Sequence, residues 1–235
     1  MLTIDGFRPQ HRRALGQAGE IVVLAQAVDL VRSTPCAGWD LQALLTHMIG
    51  QNDGFAAAVT TGDAPPSAYT RTAVIGCDLA PEWHRSADRV LAAFAHAHTG
   101  SEVRLIEIDA DSTFPVGVAV GMHLLDTVMH TWDVVSSLGA PYRPDDELLN
   151  IVAAGAKQVP AGVSRTRPGA AFAPAVTPII PTHGSSLSPC SDVRTPPDPT
   201  RGGGVEACVG VCDSRSRVTV PPVPQVRFFY YYRSC

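Results

Sequence analysis

Val116-Gly-Val-Ala-Val-Gly-Met-His123-Leu-Leu-Asp126-Thr-Val-Met-His130-Thr-Trp-Asp133-Val-Val-Ser-Ser-Leu138 decides how this chain folds. At about 100° per residue, Val120, Leu124, Leu125, Val128, Trp132 and Val135 cover one side of a helix, and Gly139 and Pro141 stop it. His123, Asp126, His130 and Asp133 fall together in one narrow stripe on the other side. Polar stripes of this kind are usually solvated faces. Solvated faces, however, normally carry long charged residues, and from Val116 to Leu138 there is no Lys, Arg or Glu. Short side chains with ligating atoms on an otherwise apolar helix fit an inward-facing site. Asp126 and His130, at i and i+4, stand one turn apart and can reach a single ion.

Working outward, three more main helices and one shorter helix are expected. Leu15, Ile21, Leu24, Ala25 and Val28 recur at helical spacing between Pro9 and Val31, with Ser33-Thr34-Pro35 as the stop. Asp40 has the character of an N-cap for a helix through Leu41, Leu44, Leu45, Met48, Ile49 and Phe55 to about Thr60, and this helix carries His47. After a loop from Gly62 to Ser67, Asp78 and Pro81 open a third helix through Trp83, Val90, Leu91 and Phe94 to about His98. The alternation from Glu102 to Ile108, with Val103, Leu105 and Ile106 inward, predicts a short strand or extended connection. Pro144-Asp145-Asp146-Glu147 starts a shorter helix ending near Val159. The sum is an all-α antiparallel bundle of four main helices with a short extended segment.

Composition bounds the partners. With 18 basic and 22 acidic residues in 235, and a formal charge of -4, neither nucleic acid nor an anionic membrane is expected as the main partner. A small molecule becomes the default. Lys157 is the only lysine, so arginine supplies the cations, as in proteins of GC-rich genomes. No apolar run approaches the roughly 18 to 20 residues of a membrane helix, and the polar start from Met1 to Arg13 has no apolar signal core, so a cytoplasmic protein is expected. Cys36 and Cys77 are the only cysteines before residue 190, which suits a reducing compartment.

Past about Val176 the character changes to Pro, Ser, Gly, Arg and Cys without periodicity. The expected division is a bundle at 1–176 and a low-complexity tail at 177–235, disordered apart from the apolar tip Phe228 to Tyr232 and possessing the marks of an out-of-frame extension. The rival for the tail is a metal site using Cys190, Cys208 and Cys212 with His183, for which a C-x3-C pair is weak support.

Two blocks carry a resemblance. Thr34-Pro-Cys-Ala-Gly-Trp-Asp-Leu-Gln-Ala-Leu-Leu-Thr-His47, followed by His123-Leu-Leu-Asp126-Thr-Val-Met-His130-Thr-Trp-Asp133-Val134, is similar to the DinB-like actinobacterial metal-binding family related to mycothiol-dependent maleylpyruvate isomerase, from about Gln10 to about Val176. The resemblance implies a four-helix bundle that binds a divalent ion, zinc in the isomerase, with His47, Asp126 and His130 at the ligand positions. The isomerase has Glu where this chain has the shorter Asp126. His123 and Asp133 are the expected neighbours that orient His130 or a bound water, against the plainer reading of helix-edge hydrogen bonds. Cys36 reads as a buried structural thiol rather than a nucleophile, Trp39 and Trp132 as packing residues, and His84, His96 and His98 as surface residues.

The resemblance further implies mycothiol as thiol cofactor, an electrophilic small-molecule substrate and an isomerase or transferase activity. The alternatives are a metal-binding bundle without turnover, acting as a sensor or stress-associated protein, and an inactive relative with an aberrant C-terminus. The family places no signature of the substrate in these blocks.

Overall fold

α4 runs from Val116 to Leu138 and is closed by Gly139 at φ 66°, the left-handed conformation that glycine adopts without strain. In the computed structural model, which describes residues 4–157, it is one of five α-helices. The others are α1 (Ile4–Val22), α2 (Leu41–Thr61), α3 (Leu79–His96) and α5 (Asp146–Ala156). α1 packs on α4 and α3, and α2 packs on α3 and α4, so the four long helices form a closed ring around one core, with α5 against α4. Leu15, Leu44, Ile49, Val90, Phe94, Val120 and Leu124 fill that core, each at most 2% exposed. The expected boundary at 176 and the segment 177–235 with its cysteines lie outside the described residues.

Local chemistry sets the helix ends. The Asp40 carboxylate accepts from the Ala43 backbone N–H and starts α2, Gly62 at φ 84° ends it, and Asp145 caps α5 through the Leu148 N–H. α1 departs from expectation at both ends. It begins at Ile4, with Pro9 inside, because Arg8 donates to the carbonyls of Phe94 and Ala97 at the end of α3 and ties the first turns to the bundle. It stops at Val22 in tight turns to Leu24 and Ala25, leaving Leu24 and Val28 exposed rather than in the core.

The extended segment is β1 (Glu102–Arg104), antiparallel to β2 (Thr113–Pro115), with Val103 opposite Phe114. Val103 and Leu105 point inward as expected. The ribbon leads directly into α4 and sets its start, and Glu107 lies in the turn between the strands. A short helical turn at Pro66–Ala68 carries Tyr69 across α2, where Gly50 and Gly54 make room. A Cβ on Gly50 would stand 2.2 Å from the Tyr69 carbonyl oxygen, and one on Gly54 2.1 Å from its ring. No helix among the described residues is long and apolar enough to cross a membrane.

Candidate metal centre

The polar stripe of α4 faces the core. His123, Asp126 and His130 are 1%, 6% and 0% exposed, which excludes the solvated-face reading. Asp126 and His130 meet at Oδ1 to Nε2, 3.5 Å apart, and His47 enters from α2 with its ring 5.2 Å from that of His130, edge to face. One nitrogen each from His47 and His130 and a carboxylate oxygen of Asp126 lie within 4.8 Å of one another. Trp39, from the turn before α2, packs its ring against that of His47 at 4.8 Å.

Burial decides the protonation of these groups. His47 is pulled down to about 4 by burial, with Asp126 acting in the opposite sense. Its Nε2 is buried and has no hydrogen-bond partner among the described residues. A buried imidazole nitrogen without a partner costs free energy unless a ligand or ion supplies the bond. His130 is also disfavoured as a cation by burial, yet Asp126 and Asp133 outweigh this and push it up to about 10. In the absence of an ion it therefore holds a proton between two carboxylates.

Asp133 stands beside His130, one turn further along α4. Its Oδ2 accepts from Nδ1 of His130 at 3.1 Å, fixing the ring so that Nε2 faces Asp126. Cys36 is buried, 5% exposed, and its Sγ lies 3.6 Å from the same Asp133 oxygen. His123 is placed elsewhere. Its Nδ1 is 2.8 Å from Nε2 of His11, and its ring packs on Phe55 and Phe94. It is one half of a buried histidine pair that joins α1 to α4. Burial pulls His11 down to about 3 and His123 well below the ordinary histidine range. His84, His96 and His98 are exposed, as expected.

Sequence reasoning missed three residues. His11 is four before Leu15 and seven before Ala18, both buried, so the apolar spacing of α1 contains the signal. Gln51, one turn after His47, is buried and donates to Glu107 at 2.5 Å. Glu107 is raised by burial of its carboxyl end, with Asp126 adding to the rise, although the residue as a whole is exposed. It lies inside the alternating stretch expected to be extended as far as Ile108, whereas the strand ends at Arg104 and residues 106–108 form a turn, so the alternation there gave no sign of its position.

The family described as the mycothiol maleylpyruvate isomerase N-terminal domain matches residues 12–135. The chain belongs to this family. The match contains His47, Asp126, His130 and Asp133, while His11 lies one residue outside it. Two uncharacterized proteins of Mycobacterium tuberculosis, one from strain CDC 1551 / Oshkosh and one from strain H37Rv, are each 25% identical over 145 residues, covering 59% of this chain and 70% of theirs. Among solved structures, a histidine-to-alanine mutant of the mycothiol-dependent maleylpyruvate isomerase superposes with a TM-score of 0.53 at 14% identity, covering 66% of this chain and 68% of that one. This likeness establishes the shared helical fold, the DinB-like bundle expected from the sequence.

Proposed function

We propose that the chain holds one divalent cation, zinc by preference, between His47, Asp126 and His130, and uses it to activate a small-molecule thiol, mycothiol, toward an electrophilic small molecule. The observation that carries this reading is the buried, partnerless Nε2 of His47 beside the Asp126–His130 pair. The donor set fits the ion: a tetrahedral zinc site has nitrogen-to-oxygen edges of about 3.4 Å, close to the 3.5 Å between His130 Nε2 and Asp126 Oδ1. Three protein ligands leave one position for a further ligand.

A bound divalent ion would supply Lewis acidity that favours a thiol as thiolate at neutral pH. The chain's own residues prepare the position. His47 presents a neutral ring, held by Trp39. Asp126 contributes the negative charge that offsets a cation in a buried place. Asp133 holds the proton at Nδ1 of His130, keeping Nε2 directed at the ion. Burial of Asp126 and His130 excludes water, so the charge at the position is felt strongly.

Elemental analysis of the full chain purified without added metal tests the metal reading. Stoichiometric metal, lost in both His47→Ala and His130→Ala, is expected; a folded protein without metal, or full retention in both variants, would overturn it. Turnover of electrophiles with mycothiol, abolished by His130→Ala, tests the activity. Stoichiometric metal with neither thiol binding nor turnover would leave a binding module instead.

A further inference from the structure

His130 has two ring nitrogens, and the proposed function uses one. On the side of Nδ1 a second set of ligating atoms converges: Nδ1 itself, an oxygen of Asp133 and the sulfur of Cys36, all within 4.8 Å of one another. Asp133 comes from the turn of α4 that follows His130, and Cys36 from the loop before α2, where the Thr34 hydroxyl bonds the Cys36 backbone N–H and carbonyl and holds the turn. The side chains of His130 and Asp133 are 1% and 13% exposed.

The separations suit an ion. A tetrahedral site with metal–nitrogen and metal–oxygen bonds near 2.1 Å and metal–sulfur near 2.3 Å has edges of about 3.4 Å (N to O) and about 3.6 Å (S to O). The observed edges are 3.1 Å from His130 Nδ1 to Asp133 Oδ2 and 3.6 Å from Cys36 Sγ to the same oxygen. Cys36 Sγ and His130 Nδ1 both stand within hydrogen-bond reach of a single carboxylate oxygen, each by way of a hydrogen that a bond to a metal would replace. A divalent cation replacing both would leave the buried charge unchanged.

We propose that Cys36, Asp133 and Nδ1 of His130 form a second metal position, selective for thiophilic divalent cations, that is occupied in place of the first. Coordination breaks the S–H and Nδ1–H bonds, releases the two protons to solvent, and forms metal–sulfur, metal–nitrogen and metal–oxygen bonds. Thiolate is the softest ligand in either set, so softer cations favour this side of the ring. The exclusivity follows from the shared imidazole: a neutral ring keeps one N–H, and an ion on Nδ1 leaves Nε2 protonated toward Asp126. Only this exclusivity rests on the proposed function; the second position itself does not.

The test takes the full chain with Cys77, Cys190, Cys208, Cys212 and Cys235 replaced by serine, plus His47→Ala to disable the first position. Titrated with Co2+, this protein is expected to develop the near-ultraviolet sulfur-to-cobalt charge-transfer band, saturating at one ion per chain. Cys36→Ser should remove the band with helical circular dichroism unchanged. A folded protein without the band, or a band that survives Cys36→Ser, overturns the position. Should the multiple-cysteine variant not fold, the same question is put to the otherwise unaltered His47→Ala chain through Cd2+ protection of Cys36 from alkylation, read by peptide mass spectrometry. Protection supports the position, and unchanged alkylation overturns it. In the chain with His47 intact and loaded with Zn2+, Cd2+ is expected to displace zinc one for one; both ions retained together overturns the exclusivity. Failure of the first position would show separately, as Zn2+ content and affinity that His47→Ala leaves unchanged even when Cys36→Ser has removed the second position.

Discussion

Asp133 is the residue through which both sides of His130 are governed. It is not among the three atoms of the first position, yet it determines which ring nitrogen carries the proton. Removing its charge while keeping its shape, in Asp133→Asn, is expected to weaken Zn2+ binding by about 10- to 100-fold, the usual cost of losing the carboxylate behind a ligating histidine. Competition with a chromophoric chelator measures this; an unchanged affinity would show that Asp133 does not orient the ring. His130 also predicts a pH dependence. Its proton persists up to about pH 10 in the ion-free protein and must leave Nε2 before an ion binds. Apparent affinity is therefore expected to rise through neutral pH, and titration calorimetry in buffers of different ionisation enthalpy should find about one proton released per ion. Binding with no proton release would contradict the ion-free charge state. Asp126, His130 and Asp133 were legible in the sequence because a helix face is a local property, set by spacing along one segment. His123 shares that spacing and still faces elsewhere, since its partner His11 comes from a different helix.

At the scale of elements, the helices whose ends are set by their own residues were readable and those set by others were not. Asp40, Gly62 and Gly139 act on the backbone within a turn of themselves, so α2 and α4 begin and end as the sequence predicts. The start of α1 depends on α3 through Arg8, and β2 exists only because β1 pairs with it. The approach of Tyr69 to α2 is equally non-local, and it makes a prediction. Alanine is normally preferred to glycine inside a helix by about 1 kcal/mol. At Gly50 the added methyl would collide with a backbone oxygen that a side-chain rotation cannot move. Gly50→Ala is therefore expected to destabilise the chain by about 1–3 kcal/mol, the range for overpacking. Urea unfolding of the pair measures it. A gain in stability would show that the Tyr69 segment lifts from α2 at little cost. Because Gly50 lies between His47 and Gln51 on α2, the same change should also lower metal affinity, which separates a shift of the helix from a local rearrangement of the loop.

For the molecule as a whole, the buried histidines set its response to acid. His11 and His123 lie in the core where α1 meets α4, with no carboxylate partner among the described residues, and share one hydrogen between Nε2 and Nδ1. Desolvation holds both neutral in the folded chain, His11 down to about 3, whereas in the unfolded chain each takes up a proton near its ordinary value of 6.5. The unfolded state thus binds more protons in this range, and stability falls as the pH drops from about 6.5 toward about 3. Above pH 7 neither histidine is protonated in either state, so the pair contributes no slope there. His47 adds to the acid loss in the ion-free chain, because it too is held down, to about 4, by burial. His130 does not, since its raised value places its own transition toward about pH 10. Replacing His11 by glutamine keeps a hydrogen-bonding group facing His123 and removes one titrating site. Melting temperatures of His11→Gln and the unaltered chain, both with chelator, are expected to differ in slope: the unaltered protein should lose stability more steeply between pH 6.5 and 5, while the two curves run parallel above pH 7. Parallel curves over the whole range would mean that the pair is protonated without unfolding, and that the core at the α1–α4 contact opens to water more easily than its burial implies.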